Sequence, residues 1–122
     1  MQRPIRVTLT AAILVALTAL AWGCSESTAT SLPLEISITA SRTTVALGDT
    51  VVFVATVQGG SLLGLGADFG DNTTDQYGTA GAQTGKVSFH HAYATSGTFT
   101  VKITVTDAVA GLKADSVDVH VN

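Results

Sequence analysis

The second half of the chain alternates between apolar and polar positions with a period of two. Phe99, Val101, Ile103 and Val105 occupy every second position, and Thr or Lys residues lie between them. Because successive side chains of a β-strand point to opposite faces, this pattern predicts a strand with one buried face. It is the clearest strand in the sequence.

The same alternation predicts further strands from Leu34 to the end of the chain. The predicted strands lie within residues 34–40, 45–47, 51–57, 63–67, 87–93, 98–106 and 117–121. Turn residues separate them, and no window beyond Leu34 has a helical stripe. About seven short strands at this spacing predict an all-β fold, namely a two-sheet antiparallel sandwich. The Gly-rich segment 73–85 is predicted to form a long loop or a weak edge strand.

Two departures from simple alternation lead to separate predictions. Leu112 and Ala114 are out of phase with the valines at the end of the chain, which predicts a β-bulge near Asp115. Val52 and Val54 lie on the polar face of their strand, so we expect an outward apolar patch that serves interaction. The alternative is that segment 73–85 or another part of the chain covers these valines.

The first residues of the chain have the pattern of a secretory signal peptide. Arg3 and Arg6 precede an uncharged, mainly apolar run over residues 7–22. That run is shorter than the roughly 20 residues that a membrane-spanning helix requires. A basic start, a short apolar run and small residues at its end predict a signal peptide over residues 1–23.

The only cysteine, Cys24, lies between this run and a polar segment. The sequence Leu-Ala-Trp-Gly-Cys over residues 20–24 resembles the lipobox of bacterial lipoproteins, although Trp22 departs from the usual small residue. The resemblance implies cleavage before Cys24, lipidation of its thiol, and a membrane anchor in the cell membrane or the outer membrane. An ordinary signal peptide followed by a free thiol, or an uncleaved anchor, is the alternative. Each of these interpretations predicts an extracytoplasmic location.

Composition agrees with one domain after a short tether. The chain has 122 residues, of which 46% are hydrophobic and 12% charged. Residues 24–33 are predicted to form the lipidated Cys and a flexible tether, and residues 34–122 the folded domain. The net charge of −3 argues against a nucleic-acid partner, because binding phosphates requires a basic face.

Two motifs in the domain resemble one known family. The first motif reads Ala-Asp-Phe-Gly-Asp-Asn over residues 67–72. The second reads His-Ala-Tyr over residues 91–93, followed by Gly-Thr-Phe-Thr-Val over residues 97–101. They resemble the signatures of PKD (polycystic kidney disease) domains, which are Ig-like β-sandwiches that contact proteins or carbohydrates outside the cytoplasm. The motif residues are Asp68, Phe69, Gly70, Asp71, His91, Tyr93, Gly97 and Phe99.

This chain departs from the family pattern at two positions. Ala67 stands where the family has a core Trp, and we expect Leu65 and Phe89 to fill that layer. Asn72 stands where the family has a second Gly, and Asn also accepts a left-handed backbone.

Elementary chemistry gives the motif residues structural roles. We expect Phe69 and Tyr93 to fill the core, with the Tyr93 hydroxyl bonded to a backbone group. Asp68 and Asp71 are expected to accept backbone N–H groups within a turn.

Chemically active sites are weakly indicated. Asp68, Asp71, Asn72 and Asp75 provide oxygen atoms that Ca²⁺ prefers, but their spacing is not that of a Ca²⁺ loop, and turn capping is the better interpretation. His90 and His91 are adjacent, so in a strand they point to opposite faces, and His120 is distant. We therefore expect no metal, no cofactor and no catalytic residues.

The sequence leads to two main functional hypotheses. The first is a non-catalytic cell-envelope lipoprotein whose PKD-like module binds or adheres to a protein or a glycan. The second is a structural spacer or subunit of a larger envelope assembly. A glycan site would require exposed aromatic rings, and Tyr77 is the one plausible candidate. This favours a protein partner.

Overall fold

A computed structural model describes residues 32–122 of the chain, so the predicted signal peptide, Cys24 and most of the tether lie outside the described residues. The described part is all-β, and it includes no helix with the length and apolar character needed to cross a membrane. Its strands are β1 (Glu35–Ala40), β2 (Thr44–Val45), β3 (Thr50–Asp68), β4 (Thr74–Ala92), β5 (Gly97–Asp107) and β6 (Gly111–Val121).

The longest elements, β3 and β4, form a hairpin of two 19-residue strands. They pair antiparallel from Thr50 opposite Ala92 to Asp68 opposite Thr74. Each strand thus covers a length for which the sequence predicts two separate pieces. Segment 73–85 belongs to β4, which bonds only to β3, so the edge-strand alternative is the correct one.

This hairpin bends sharply at its middle. The β3–β4 register breaks between Gln58 and Leu62, and β4 has positive φ angles at Ala80 and Gly81. The first half of β3 pairs with β1 and the second half pairs with β5. Strands that switch layers at bends and bulges are a known way to build the corner of a sandwich.

The remaining strands complete one curled sheet in the order β1-β3-β5-β6-β2, with β4 attached to β3. The short strand β2 pairs parallel to the end of β6, through Thr44 opposite His120 and Val45 opposite Val121. The fold is therefore the predicted Ig-like sandwich, although the two layers belong to one continuous sheet.

The core lies between the inward faces of both layers. It consists of Val45, Val51, Phe53, Ala55, Val57, Leu62, Leu65, Ala67, Phe69, Val87, Phe89, Tyr93, Val101, Ile103, Val105, Val119 and Val121. The alternating residues of β5 all fall on this inward face. Leu65 and Phe89 are buried in the same core as Ala67.

The predicted bulge near Asp115 is wrong. Strand β6 pairs with β5 without a register shift, and Lys113 and Asp115 occupy the positions that face β1. The Ile38 amide donates to Asp115 Oδ2 at 3.2 Å, and Lys113 Nζ lies 3.3 Å from Glu35 Oε2. These polar groups close the side of the sandwich. Because neighbouring residues of a strand point to opposite faces, Leu112 points outward and is exposed.

The bends and turns gather at two opposite ends of the domain. The corner end contains residues 32–35, 59–63, 79–82 and 107–112, which register and hydrogen bonds bring together. For example, the Ala108 amide donates to the Ser61 carbonyl at 2.9 Å. The described chain begins at this end.

The motif end contains residues 46–50, 68–74, 92–97 and 120–122. The Gly48 amide donates to the Tyr93 carbonyl at 3.3 Å, and the Leu47 amide donates to the Asn122 carbonyl at 3.2 Å. The described chain therefore ends at the opposite end from the one where it begins.

A buried carboxylate holds the corner end. Asp107 is 3% exposed, and it accepts hydrogen bonds from the backbone amides of Ser61, Val109 and Ala110. Burial alone would raise the pKa of Asp107, but these donated hydrogen bonds outweigh it and keep the pKa below its ordinary value. This one side chain therefore fastens the bend of β3 to the β5–β6 turn.

Candidate functional site

The motif residues form a stack of rings at the motif end. The Phe69 and His91 rings are parallel, with centroids 4.1 Å apart, and His91 meets Tyr93 edge-on at 4.7 Å. Tyr93 in turn stacks on Phe99 at 4.4 Å, and Phe69 lies 5.9 Å from Phe53. The stack continues the core to the end of the domain.

His91 also connects this stack to the turn between β3 and β4. Its Nε2 atom lies 2.7 Å from Asp71 Oδ2. Because a carboxylate only accepts hydrogen bonds, Nε2 carries the proton and donates it. Asp71 Oδ1 accepts a further hydrogen bond from the Thr73 hydroxyl. The three polar side chains therefore form one small network.

The network keeps Asp71 ionised. Partial burial by itself would raise the pKa of Asp71, but hydrogen bonds from Thr73 and His91, together with the nearby imidazole, outweigh burial and hold the pKa below its ordinary value. The Asp71 carboxylate is thus fully used by neighbours within the fold.

Tyr93 lies beneath the same network. Its side chain is buried, and its hydroxyl donates to the Phe69 carbonyl at 2.9 Å, the predicted bond to a backbone group. Burial, with a smaller contribution from the charge of Asp71, raises the pKa of Tyr93 to about 12. This tyrosine therefore stays protonated as a structural donor.

The other acidic motif residues cap the turn. Asp68 Oδ1 accepts the Gly70 amide at 2.9 Å, and Asp71 Oδ1 accepts the Thr73 amide at 3.2 Å. Gly70 and Asn72 both have positive φ angles, of 83° and 67°. A Cβ at Gly70 would lie 2.7 Å from the Thr100 carbonyl oxygen, so glycine is required at this position.

The three carboxylates considered for Ca²⁺ accept backbone amides: Asp68 and Asp71 do so in the turn, and Asp75 accepts the Gln76 amide at 2.8 Å in β4. His90 and His120 are exposed, and His120 Nδ1 lies 2.8 Å from the Thr98 hydroxyl. Within residues 32–122, no group of three or more His, Cys, Asp or Glu side chains is arranged to hold a metal ion.

Gly97 and Phe99, the last two motif residues, start strand β5. Gly97 has φ of 141°, a conformation that L residues rarely adopt. Phe99 is half-buried at the edge of the core, where it closes the ring stack.

Val52 and Val54 lie on the outer face formed by β1, the first half of β3 and β4. Both are half-buried. Their cross-strand neighbours are polar, because Val54 is opposite Thr39 and Ser88, and Val52 is opposite His90. The aliphatic pair is therefore bordered by groups that form hydrogen bonds.

Towards the corner end, the same outer face continues as an open groove of about 640 Å³. Polar side chains from all three strands line it, among them Glu35, Thr56, Gln58 and Lys86. The face as a whole combines an aliphatic pair with a polar groove. We call this the β1–β3–β4 face.

Sequence reasoning misses a set of exposed apolar side chains at the corner end. Leu63 is 52% exposed, and Val109 and Leu112 are both 69% exposed. The sequence pattern places Leu63 inside a predicted strand and leaves Val109 and Leu112 between two predicted strands, so it marks none of the three as exposed. Only the pairing of β3, β5 and β6 brings them to one end of the domain.

Comparison with known families now assigns the fold. The family model described as "PKD domain" matches residues 35–121, which is nearly all of the described chain and includes both motifs. The chain belongs to the PKD domain family. Such domains are typically non-catalytic modules with binding or structural roles, and they are commonly found outside the cytoplasm.

Solved structures agree with this assignment at the level of the fold. The PKD domain of an M14-like peptidase from a Thermoplasmatales archaeon superposes with a TM-score of 0.65 at 19% identity, covering 75% of this chain and 98% of that one. The PKD domain of the human VPS10 domain-containing receptor SorCS2 gives 0.55 at 21% identity, covering 80% of each chain.

A third structure has the same general architecture under a different name. The CARDB domain of a Pyrococcus furiosus protein, solved in complex with di-metal ions, gives a TM-score of 0.56 at 12% identity and covers 78% of this chain and 97% of that one. At this identity the likeness concerns the fold alone. A search of curated proteins finds no match to the chain.

Proposed function

We propose that this protein is a non-catalytic lipoprotein of the cell envelope whose PKD domain binds a protein partner through the β1–β3–β4 face. The observation that carries the proposal is the outward pair Val52 and Val54 beside a polar groove. Protein interfaces combine an apolar centre with a polar, hydrogen-bonding rim, and this face has both parts.

The motif end supports a non-catalytic role. Asp71 bonds to Thr73 and His91, and Tyr93 bonds to a backbone carbonyl. An active site keeps its nucleophile or base directed at substrate. Here the polar atoms of the most chemically suggestive cluster stabilise the fold instead.

A site-specific photo-crosslinker tests the binding face. It is placed at Val54, in the full-length protein expressed in its own envelope, and at Thr104, an outward position on β5, as the matched control. We expect a discrete protein adduct from position 54 that position 104 does not give. An adduct with a polysaccharide would favour a glycan partner, and no adduct at either position would favour the structural-spacer hypothesis.

The lipid anchor requires its own test. Intact mass and membrane fractionation of the wild type are compared with Cys24→Ala. We expect the wild type to gain the mass of acyl chains and to sediment with membranes, and the variant to do neither. Two soluble, unmodified proteins would refute the lipoprotein interpretation and leave a secreted PKD domain.

A further inference from the structure

The corner end differs in composition from the rest of the domain surface. Across residues 32–35, 59–63, 79–82 and 107–112, the charged residues are Glu35 and Asp107 alone. Glu35 is paired with a lysine and Asp107 is buried. The remaining positions are small or apolar.

Most of the exposed large apolar side chains lie at this end. Six such residues are exposed in the described chain. Leu32, Leu63, Val109 and Leu112 belong to the corner end, Leu47 lies at the motif end, and Tyr77 lies on β4 opposite Leu65. Contiguous exposed apolar surface on a monomeric domain marks a contact surface.

The path of the chain indicates what this end faces. Strand β1 begins at the corner end, since Glu35 pairs with Gln58 next to the bend of β3. The N-terminal segment therefore enters the domain there. Cys24 precedes Leu32 by eight residues, a span of at most about 26 Å at about 3.3 Å per extended residue.

Charge agrees with this orientation. At the motif end Asp49 is paired with Arg42 and Asp71 with His91. Asp68 is exposed and forms no ion pair within the described residues, so anionic phospholipid headgroups repel its carboxylate. The corner end has one exposed carboxylate, and Lys113 neutralises it. An anionic lipid surface is therefore more compatible with the corner end than with the motif end.

We propose that the corner end is a membrane-contact surface, on which Leu63, Val109 and Leu112 rest against the phospholipid bilayer that holds the anchor. This inference rests on the proposed lipid anchor. Apolar side chains at an interface add to the attachment that acyl chains provide. They would also fix the tilt of the domain, and so direct the motif end away from the membrane.

Fluorescent labelling tests the orientation. Full-length Val109→Cys and the control Leu47→Cys are labelled with an environment-sensitive fluorophore and reconstituted into phosphatidylethanolamine–phosphatidylglycerol vesicles that contain brominated lipid. We expect quenching and a blue shift at position 109 and neither at position 47. The additional changes Leu63→Ser and Leu112→Ser should reduce quenching at position 109, and unchanged thermal melting verifies folding.

The outcomes separate this inference from the anchor. Lipidated Cys24 takes no label, so unlabelled wild-type protein in the vesicles verifies the anchor. If the anchor is verified and positions 47 and 109 are quenched equally, or neither is quenched, the membrane-contact surface is refuted. Shielding of position 109 in native envelopes but not in lipid vesicles would assign the surface to a protein and likewise overturn the inference. A wild type that takes label refutes the anchor itself.

Discussion

The two ends of this PKD domain are closed by different chemistry. At the motif end, side chains bond to one another: His91 donates to Asp71 and stacks on Phe69. At the corner end, one buried carboxylate, Asp107, collects backbone amides. The difference shows that a turn held by several side chains in contact with one another leaves a recognisable sequence motif, whereas a turn held by one carboxylate that accepts backbone amides requires only one acidic residue.

The sharpest way to break the motif end is Gly70→Ala. The new Cβ meets the Thr100 carbonyl at 2.7 Å, and φ is 83°. We expect a loss of more than about 2 kcal/mol in the free energy of unfolding. Gly48→Ala is the matched control, because Gly48 has φ of 85° and no atom near its Cβ position. Equal losses in urea denaturation would contradict a steric role for Thr100.

Removal of one hydroxyl is expected to have the next largest effect. Tyr93→Phe leaves the Phe69 carbonyl without its donor, which should cost about 1–2 kcal/mol. Tyr77→Phe, at an exposed ring, should cost nothing measurable.

The same variant should alter stability in alkali. The folded pKa of Tyr93 is raised to about 12. Its contribution to the free energy of unfolding is therefore complete below the unfolded pKa of about 10 and is lost as the pH rises towards 12. Tyr93→Phe should remove that part of the alkaline decline. An unchanged alkaline limb in pH-dependent melting would contradict this assignment.

Acid titration compares the two ends directly. The folded pKa values of Asp71 and Asp107 are both lowered, so each stabilises the fold above the unfolded pKa of about 3.9 and loses that effect as the pH falls through its folded pKa. Asp71→Asn and Asp107→Asn should each flatten the acid limb of the stability curve. After His91→Gln, the part of the acid-induced loss of stability that depends on Asp71 should shrink, whereas the part that depends on Asp107 should remain. A Gln substitution that altered both would show that the ends are coupled.

The smallest effect is expected for the apolar side chains of the corner end. Val109→Thr and Leu112→Thr should change the free energy of unfolding by less than about 0.5 kcal/mol, because both residues are largely exposed. A loss like that for Tyr93→Phe would mean that these residues belong to the core. Urea unfolding of the purified domain provides the measurement.

The sequence predicts the parts of the fold in which local pattern and packing agree. The alternation in β5 is recognisable because its burial depends on one face of one strand. Phe69 and Tyr93 follow the ends of β3 and β4, and they are recognisable because they belong to the motifs that resemble PKD domains. The continuity of β3 through Gly59 and Gly60 is not recognisable, since such a pair normally ends a strand. The bend requires Asp107, 46 residues from Ser61 in the chain.

The bulge near Asp115 illustrates the same limit. A carboxylate at an inward position looks like a fault in the alternation. It is satisfied by the amide of Ile38, 77 residues away, and no local pattern contains that partner. Strand alternation is enough to predict that Val52 and Val54 point outward, but the corner-end surface depends on the meeting of three strands.

The parallel pairing of β2 with β6 has a mechanical consequence. The described chain starts at the corner end and finishes at the motif end, so tension applied between Leu32 and Asn122 runs along the strands. The bonds from His120 to Thr43, from Asn122 to Val45 and from Leu47 to Asn122 are then loaded together in shear, whereas a hairpin pulled apart at its open end loses its bonds one at a time. If the N-terminal end of the domain is held and a force acts on Asn122, we expect the domain to resist extension until these three hydrogen bonds break together.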